Sequence, residues 1–444
     1  MPFRWDVREH YALARYALRW CAIAIPVAGV IGSACALFLW LLDVATRTFW
    51  GRPWLLYLLP AAGIVIALAY RSFGRSAERG NNLIMDEIHE PGAGIPAVMA
   101  PLILVATVIT HLFGGSAGRE GTAVQIGGSV ASTFGRWLKL PRADVRRLLM
   151  VGIAAGFAGV FGTPLAAAVF AMEVVAIGRM NYEAMFPCLV AGVVGDWACT
   201  AWGIHHTQYH VEVGPVAFQW TTAGKVALAA VAFGLASVAF AELTHGLQHV
   251  WRKLIKYDFL RPVAGGAVVI GLVYLTGTRD YLGLGVVSPR PGGVSIVSSF
   301  RPGGAEWLSW WWKILFTAVT LSSGFKGGEV TPLFFIGATL GNALARLLDV
   351  PLAMGAGVGL AAVFAAAANT PLALSVMAVE LLGAAALPHV AIVSVLAYLL
   401  TGQRGIYPAQ RIGRLKHGGP LLQRLVALRD LERREPPAPP SAPG

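Results

Sequence analysis

Long apolar runs without charged residues dominate the pattern of this 444-residue chain. A helix needs about 20 consecutive apolar residues to cross a bilayer. Runs of at least that length cover residues 20–42, 148–172, 350–379 and 381–403. The pattern predicts a multi-pass membrane protein built from helices. The first run begins late and follows a segment of mixed charge, so we predict a first spanning helix rather than a cleaved signal peptide.

Glycine and proline interrupt the apolar runs, with 52 Gly and 26 Pro in the chain. Segments 314–325 and 330–345 are predicted to be too short or too interrupted to span the bilayer as simple helices. Non-helical backbone at membrane depth persists only where it is buried in protein or lines a wet cavity. Broken helices at matching positions of two halves indicate the binding site of a transporter.

Two separate segments of the chain repeat in the same order. Thr-Pro-Leu-Ala, followed by a Val, an Ala and a Glu, occupies residues 163–173 and again 370–380, an offset of 207 residues. Upstream, the second repeat has an offset of 209 and matches Gly115, Gly118, Glu120, Thr122 and Gly128 with Gly324, Gly327, Glu329, Thr331 and Gly337. A duplicated architecture is predicted. The repeats alone leave open whether the halves are parallel or inverted.

Composition agrees with a membrane protein, because 56% of residues are hydrophobic, only 13% are charged and the mean hydropathy is +0.63. A soluble domain carries about 25% charged residues. Basic residues cluster before the first run and after the last, within a net charge of +12. By the positive-inside bias, both ends are predicted to be cytoplasmic, with lipid headgroups rather than nucleic acid as their partner.

These observations predict four parts of the chain. A cytoplasmic segment (1–19) precedes a first membrane repeat (20–210), and a second membrane repeat (217–407) is followed by a short basic tail (408–444). The end of the tail, residues 437–444, is rich in Pro and Ala and is predicted to be disordered.

The segment 114–122, Gly-Gly-Ser-Ala-Gly-Arg-Glu-Gly-Thr, carries the strongest chemical signal. Glycines leave backbone N–H groups open to a ligand, and a helix-compatible stretch follows. Free N–H groups and the partial positive charge of a helix N-terminus suit an anion. Glu120 stands in the first turn, and a carboxylate at membrane depth is a functional-site hypothesis. The alternative for Glu120 is a helix-capping role at the membrane interface.

Three segments together resemble the CLC family of anion channels and proton-coupled antiporters. They are Gly-Arg-Glu-Gly at 118–121, the Thr-Pro-Leu-Ala segment ending in Glu173, and Gly-Gly-Glu-Val-Thr-Pro at 327–332. The likeness runs from about Gly80 to Tyr407. The resemblance implies an all-α fold of tilted and broken helices, two inverted-topology repeats, a homodimer with one pathway per subunit, and no cofactor.

Three departures from the chloride-handling members resemble the fluoride/proton antiporter branch. Thr122 stands where those members usually have Pro, Val330 replaces a Phe and follows Glu329, and Asn81 takes the place of a Ser. The predicted function is export of fluoride in exchange for protons across a bacterial-type inner membrane. The alternative is a chloride/proton antiporter or chloride channel of the same fold. A membrane-embedded enzyme is not predicted, since its nucleophile–base pair or metal motif does not emerge from the sequence.

Fluoride holds its water tightly, so a dehydrating site must offer dense, strong donors. Thr122 and Thr331 have an alternative as hydroxyls bonded to their own helix carbonyls, and Tyr407 has one as an interfacial anchor. Whether Asn81 or its neighbour Asn82 faces the ion stays open. The predicted anion-binding residues are Asn81, Thr122, Thr331, Tyr407, Gly118 and Gly121.

Proton coupling is assigned to Glu120, because by the family's logic its carboxylate can occupy the anion's own place. Many chloride exchangers carry an inner proton glutamate directly after the residue matching Glu173, but Val174 stands there. We therefore hypothesise that Glu329, the repeat partner of Glu120, relays protons or supports the anion. Glu173 and Glu380 are predicted to bond a neighbouring backbone.

Other polar residues receive structural predictions. Residues 92–96, Gly-Ala-Gly-Ile-Pro, look like a chloride signature but are predicted to be a helix-entry turn. Asp86, Glu87, His89 and Glu90 could approach a metal on a helix, yet no metal site is predicted. Arg119 is expected to pair with a structural carboxylate or with backbone carbonyls, and His111 to serve packing or the interface.

Overall fold

The computed structural model describes residues 7–206, 219–417 and 425–431. Apolar runs form helices throughout. The first half contains α1 (Val7–Gly51), α2 (Leu59–Phe73), α3 (Asn81–His89), α4 (Met99–Leu112), α5 (Glu120–Trp137), α6 (Arg142–Phe161), α7 (Pro164–Glu173) and α8 (Met185–Ala201). The second half contains α9 (Trp220–Leu254), α10 (Arg261–Thr276), α11 (Ser309–Ser322), α12 (Val330–Leu348), α13 (Leu352–Ala368), α14 (Pro371–Leu382), α15 (Leu387–Leu400) and the short α16 (Leu428–Leu431).

Strands are confined to a small sheet of β1 (Ala176–Ile177), β2 (Arg411–Ile412) and β3 (Val426–Ala427) in the described ranges. β2 lies in the middle, parallel to β1 and antiparallel to β3. The predicted boundary between the repeats near 210–217 and the predicted disordered stretch 437–444 lie outside the described residues.

Six helical segments of the described chain are long and apolar enough to cross a membrane. The predicted all-α, multi-pass architecture is therefore confirmed. The six segments are Val7–Gly51, Pro53–Phe73, Tyr182–Ala201, Trp220–Leu254, Asp258–Thr276 and Val330–Leu348.

Three of the four predicted runs are broken, and only 20–42 lies within one helix, α1. Gly162 (φ 70°) and Asn369 (φ 59°) end α6 and α13 in the left-handed conformation. In both cases Thr-Pro follows, and the proline begins the next helix because its missing N–H would be unpaired there anyway. Gly383 (φ 91°) breaks the last run between α14 and α15.

The expectation that segment 330–345 is too short or too interrupted to span the bilayer is wrong, because α12 is one uninterrupted helix of 19 residues. Pro332 causes no break, since it lies in the first turn where its N–H would have no partner within the helix. Segment 314–325 behaves as predicted: α11 has 14 residues and ends at Ser322.

Reciprocal hydrogen bonds relate the two halves. The Glu173 carboxylate, at the end of α7, accepts two first-turn amides of α14 at 3.1 and 2.8 Å. Glu380, near the end of α14, accepts two first-turn amides of α7 at 3.0 and 2.8 Å. Each helix end thus meets the start of the other, so α7 and α14 run antiparallel and the repeats are inverted. The predicted backbone-bonding role of both glutamates is confirmed.

The start of α1 and the C-terminal segment share one side of the molecule, which we call the basic face. On α1, the Tyr16 hydroxyl donates to the Glu183 carbonyl at 3.0 Å. Glu183 follows β1 closely in the chain, and β1 pairs with β2 of the C-terminal segment. The opposite side, where α1 ends at Gly51, is called the far face.

Candidate functional site

The two glycine loops of the repeats meet in the middle of the protein. Gly118 and Gly328 exchange backbone hydrogen bonds of 2.6 and 2.8 Å, forming an isolated antiparallel bridge. A Cβ on Gly328 would lie only 2.7 Å from the Gly121 nitrogen. A residue without a side chain is therefore required where the second loop covers the N-terminus of α5.

Glu120 begins α5, is fully buried and reaches across to the other repeat. Oε2 accepts the Thr331 backbone N–H at 3.1 Å, and Oε1 accepts the Thr331 hydroxyl. The Arg119 backbone N–H also donates to Oε2 at 3.1 Å. The carboxylate thus occupies the positive end of α12, where a negative charge is stabilised.

Thr331 gives its hydroxyl to Glu120 rather than to a carbonyl of its own helix. The alternative for Thr331, a hydroxyl bonded to a carbonyl of its own helix, is therefore wrong. Its two donors, N–H and O–H, converge on one anionic group.

The N-terminus of α5 faces the same region with backbone amides. The first turn closes when Ala123 donates to the Arg119 carbonyl at 3.2 Å. Because that is the first hydrogen bond of the helix, the backbone amides of residues 120–122 have no acceptor within the helix. Such amides attract an anion.

Asn81 and Tyr407 line a small cavity between the repeats. Its volume is ≈ 10 Å³, about the least that holds one water-sized particle. Asn81 begins α3, and its Oδ1 is buried without a hydrogen-bond partner in the described part of the chain. Its Nδ2 lies 3.1 Å from the place a Cβ on Gly121 would take. The cavity is lined by Asn81, Ile84, Met85, Val124, Ile153, Phe170, Val174 and Tyr407.

Asn82 has a different partner. Its Oδ1 accepts the Ala409 backbone N–H at 3.0 Å, which ties α3 to the segment that follows Tyr407. Asn81 is thus the member of the pair that faces the cavity, while Asn82 holds the cavity walls together.

The structure does not bring Thr122 and the Gly118 amide to this cavity. The Thr122 hydroxyl is paired with the Thr107 hydroxyl at 2.7 Å, and the Gly118 N–H is used in the bridge to Gly328. Gly121 lies beside Asn81.

Glu329 is the N-cap residue of α12 and is partly buried. No donor among the described residues bonds its carboxylate, in contrast to Glu120. Its chain neighbour Gly328 makes the backbone bridge to Gly118, so Glu329 directly follows the contact between the two loops.

Arg119 pairs with a carboxylate, as expected, and that carboxylate belongs to the next residue in the chain. Its Nε lies 3.6 Å from Oε1 of Glu120 itself. The reason is local: Arg119 is the N-cap of the helix that Glu120 begins, and the carboxylate folds back over that end.

A second cavity, of ≈ 200 Å³, opens beside Arg119 and extends to the end of α1 on the far face, and we call it the far cavity. Asp43, His111 and Asp280 also line it. His111 is buried, with its ring nitrogens 2.8 and 3.0 Å from the carbonyl oxygens of Thr107 and Ala117. The packing role predicted for His111 missed these contacts; the signal available was its spacing of one helical turn from Thr107.

The acidic cluster of α3 is occupied by other protein groups. Asp86 pairs with Arg79, Arg411 and Arg429, and the last of these lies 3.1 Å away. Glu90 also pairs with Arg411, at 3.1 Å. The cluster therefore ties the C-terminal segment to α3.

Glu87 and His89 also bond the backbone. Glu87 accepts the amides of Gly92 and Gly94, and a His89 ring nitrogen lies 2.9 Å from the Val175 carbonyl oxygen. Segment 92–96 precedes α4, as predicted for an entry turn, with the helix beginning at Met99.

Comparison with known proteins agrees with this geometry. The profile of the voltage gated chloride channel family matches residues 62–402. A chloride/fluoride channel protein of Pseudomonas syringae pv. tomato is 49% identical over 432 residues, covering 96% of this chain and 93% of that protein. The H(+)/Cl(-) exchange transporter ClcA of Vibrio cholerae is 25% identical over 387 residues, or 79% of this chain and 78% of its own.

Solved structures share the fold. A CLC-type fluoride/proton antiporter superposes with a TM-score of 0.84 at 31% identity, covering 92% of this chain and all (100%) of that one. A slow cyanobacterial Cl-/H+ antiporter gives a TM-score of 0.73 at 20% identity, over 86% of this chain and 94% of its own. On the family profile and the 49% identical relative, this chain belongs to the CLC, or voltage gated chloride channel, family.

Proposed function

We propose that this chain is a secondary active transporter, not an enzyme, that exports fluoride in exchange for protons. The observation that supports the proposal most directly is that the Glu120 carboxylate accepts hydrogen bonds from both the backbone N–H and the hydroxyl of Thr331. A carboxylate and a small anion require the same N–H and O–H groups, so the two compete for one place. Protonation removes the negative charge of Glu120 and releases the donors, which links proton uptake to entry of the anion.

Fluoride suits the size and chemistry of the small cavity between the repeats. The cavity at Asn81 and Tyr407 has room for about one water-sized particle, and these two lining residues carry an amide and a phenol that can donate hydrogen bonds. A small, strongly hydrated anion needs such donors to replace its water. The similarity to a chloride/fluoride channel protein and to a fluoride/proton antiporter supports the same anion.

The proposed orientation places the basic face in the cytoplasm of a bacterial-type cell, in the inner membrane. Arg19, Arg147 and Arg411 lie at that face, in agreement with the positive-inside bias. Fluoride would then leave through the far cavity beside Arg119, while protons enter from that side.

The functional unit is proposed to be a homodimer with one pathway in each subunit. Apolar side chains on α7, α8 and α14 are exposed, including Leu165 (50%), Val193 (49%) and Leu372 (51%). A second copy of the chain would cover this face, leaving the site of each subunit intact. Cross-linking in lipid across this face tests the dimer.

The experiment that tests the function is ion efflux from liposomes containing the purified protein. Fluoride-loaded vesicles are expected to release fluoride and to take up protons, whereas chloride-loaded vesicles release little. Chloride release as fast as fluoride release would favour the alternative, a chloride/proton antiporter or chloride channel. Fluoride release that no proton gradient can drive uphill would indicate a channel.

A further inference from the structure

His111 has hydrogen-bond acceptors at both of its ring nitrogens. Nδ1 lies 2.8 Å from the Thr107 carbonyl oxygen and Nε2 lies 3.0 Å from the Ala117 carbonyl oxygen. Both distances are those of made hydrogen bonds. The side chain is only 2% exposed.

A neutral imidazole cannot satisfy this arrangement. It carries one N–H, and its other nitrogen is an acceptor. Backbone carbonyls only accept, so one of the two contacts would set a lone pair against a lone pair. The imidazolium, which donates from both nitrogens, makes both bonds at once.

The charges around His111 come from four elements. Arg119, at the N-cap of α5, and Lys313, on α11, are positive and oppose an imidazolium. Asp43 on α1 and Asp280 in the loop after α10 line the same far cavity, and each is paired with an arginine, Arg47 and Arg290. The Lys313 ammonium is itself held by the carbonyls of residues 281 and 283 at 3.1 and 2.8 Å.

The Ala117 carbonyl connects His111 to the site. Gly118, the next residue, makes the backbone bridge to Gly328. Oε2 of Glu120 lies 2.9 Å from the place a Cβ on Gly118 would take. A bond at Ala117 therefore fixes the backbone against which the Glu120 carboxylate rests.

We propose that His111 is a second protonatable residue of the transport cycle, a positioning residue that holds the Ala117 carbonyl when charged and releases one of its two carbonyls when neutral. This inference rests on the proposed function. Protons reach the ring from the far cavity, so the position of the Glu120 loop responds to pH on the far face. Glu120 is the coupling carboxylate, and His111 adjusts the loop that carries it.

The first test is ¹⁵N NMR of the full-length protein labelled at its histidines, of which the chain has 10. The signals of His111 are identified by their loss in His111→Gln. We expect both ring nitrogens to be protonated at low pH and one proton to be lost between about pH 4 and 8, within the range that folded proteins give histidine. A ring that stays a single neutral tautomer, or stays charged, throughout that range would overturn the proposal.

The second test is fluoride-driven proton uptake in proteoliposomes as the pH on the far face is varied. His111→Gln can donate one hydrogen bond but cannot titrate, so it is expected to lose a one-proton limb, about tenfold per pH unit at its steepest. The pH profile of the variant should retain only the limb that depends on Glu120. An unchanged profile would contradict the role of His111.

His89→Gln is the matched control, because this histidine bonds a carbonyl through one ring nitrogen at the basic face. Its far-face pH profile should equal that of the unmodified protein. Calorimetric fluoride binding shows that each variant is folded. Absence of fluoride transport by the unmodified protein would reject the proposed function, whereas equal profiles with intact coupled transport would reject the role of His111 alone.

Discussion

Thr331 donates both its backbone N–H and its hydroxyl to the carboxylate of Glu120, although the two residues belong to different repeats. The carboxylate that we propose as the gate, in the first half, therefore lies at the helix N-terminus of the second half. This relationship explains why both glycine loops are needed. One loop supplies the charged group, and the other supplies the donors for which, in the proposed mechanism, that group competes with an anion.

Replacing Glu329 with Gln is expected to abolish proton coupling while the protein stays folded. No donor among the described residues bonds its carboxylate, and Gln has nearly the same shape. The measurement is the ratio of protons to fluoride moved in liposomes. Glu173→Gln is the control, because its carboxylate serves backbone amides of α14 and not the site. Unchanged coupled exchange in Glu329→Gln would remove this residue from the mechanism.

Asn81 and Asn82 provide a matched pair of neighbouring amides. Asn81→Ala removes the amide of a cavity-lining residue, and a hydrogen bond to a charged group is worth about 1.5–3 kcal/mol, or roughly tenfold to a hundredfold in fluoride affinity. Asn82→Ala removes only the bond to Ala409 and should change that affinity far less. Titration calorimetry with fluoride distinguishes the two. A larger loss in the Asn82 variant would show that the assignment is reversed.

Removing either interlocking glutamate is expected to destabilise the protein. Glu173→Ala or Glu380→Ala leaves two first-turn amides without acceptors, at a cost of about 2 kcal/mol. Glu183→Ala is the control, because that side chain is 80% exposed and its loss should cost under about 0.5 kcal/mol. Thermal unfolding in detergent measures the difference. Equal unfolding midpoints for Glu173→Ala and Glu183→Ala would contradict the capping role.

Docking of the C-terminal segment is expected to strengthen as pH rises. Burial lowers the pKa of Lys416 from 10.5 to about 7, and the neutral amine can still donate to Tyr398 and Thr401 at 2.8 and 2.7 Å. Between those two pKa values the undocked segment binds the extra proton, so docking gains free energy with increasing pH. Hydrogen exchange at β2 should slow from pH 7 to pH 9 relative to the intrinsic rate. Lys416→Met should lack this effect, and an equal effect in the variant would contradict it.

Much of the fold follows from the sequence because the physical signals are local. The repeated Thr-Pro-Leu-Ala segment predicts two related halves, and the Gly-rich loop before Glu120 predicts a helix N-terminus that suits an anion. The apolar runs misled on continuity. Asn369 and Gly162 end helices through a left-handed backbone, which hydropathy does not detect.

The arrangement of the site depends on contacts between distant parts of the chain. Residues 118 and 328, or 120 and 331, meet only because the two repeats are inverted about a common centre. Nothing near Thr122 in the sequence shows that its hydroxyl is used by Thr107. The choice between Asn81 and Asn82 likewise depends on Ala409, more than 300 residues away.

Proton uptake driven by a fluoride gradient, compared between the unmodified protein and Glu120→Gln, tests the central claim most directly. The Gln side chain does not titrate, and because it is neutral it does not compete with an anion for the Thr331 donors as a carboxylate would. The unmodified protein should take up protons as fluoride leaves, and the variant should move fluoride without protons or not at all. Proton uptake in Glu120→Gln equal to that of the unmodified protein would contradict the account.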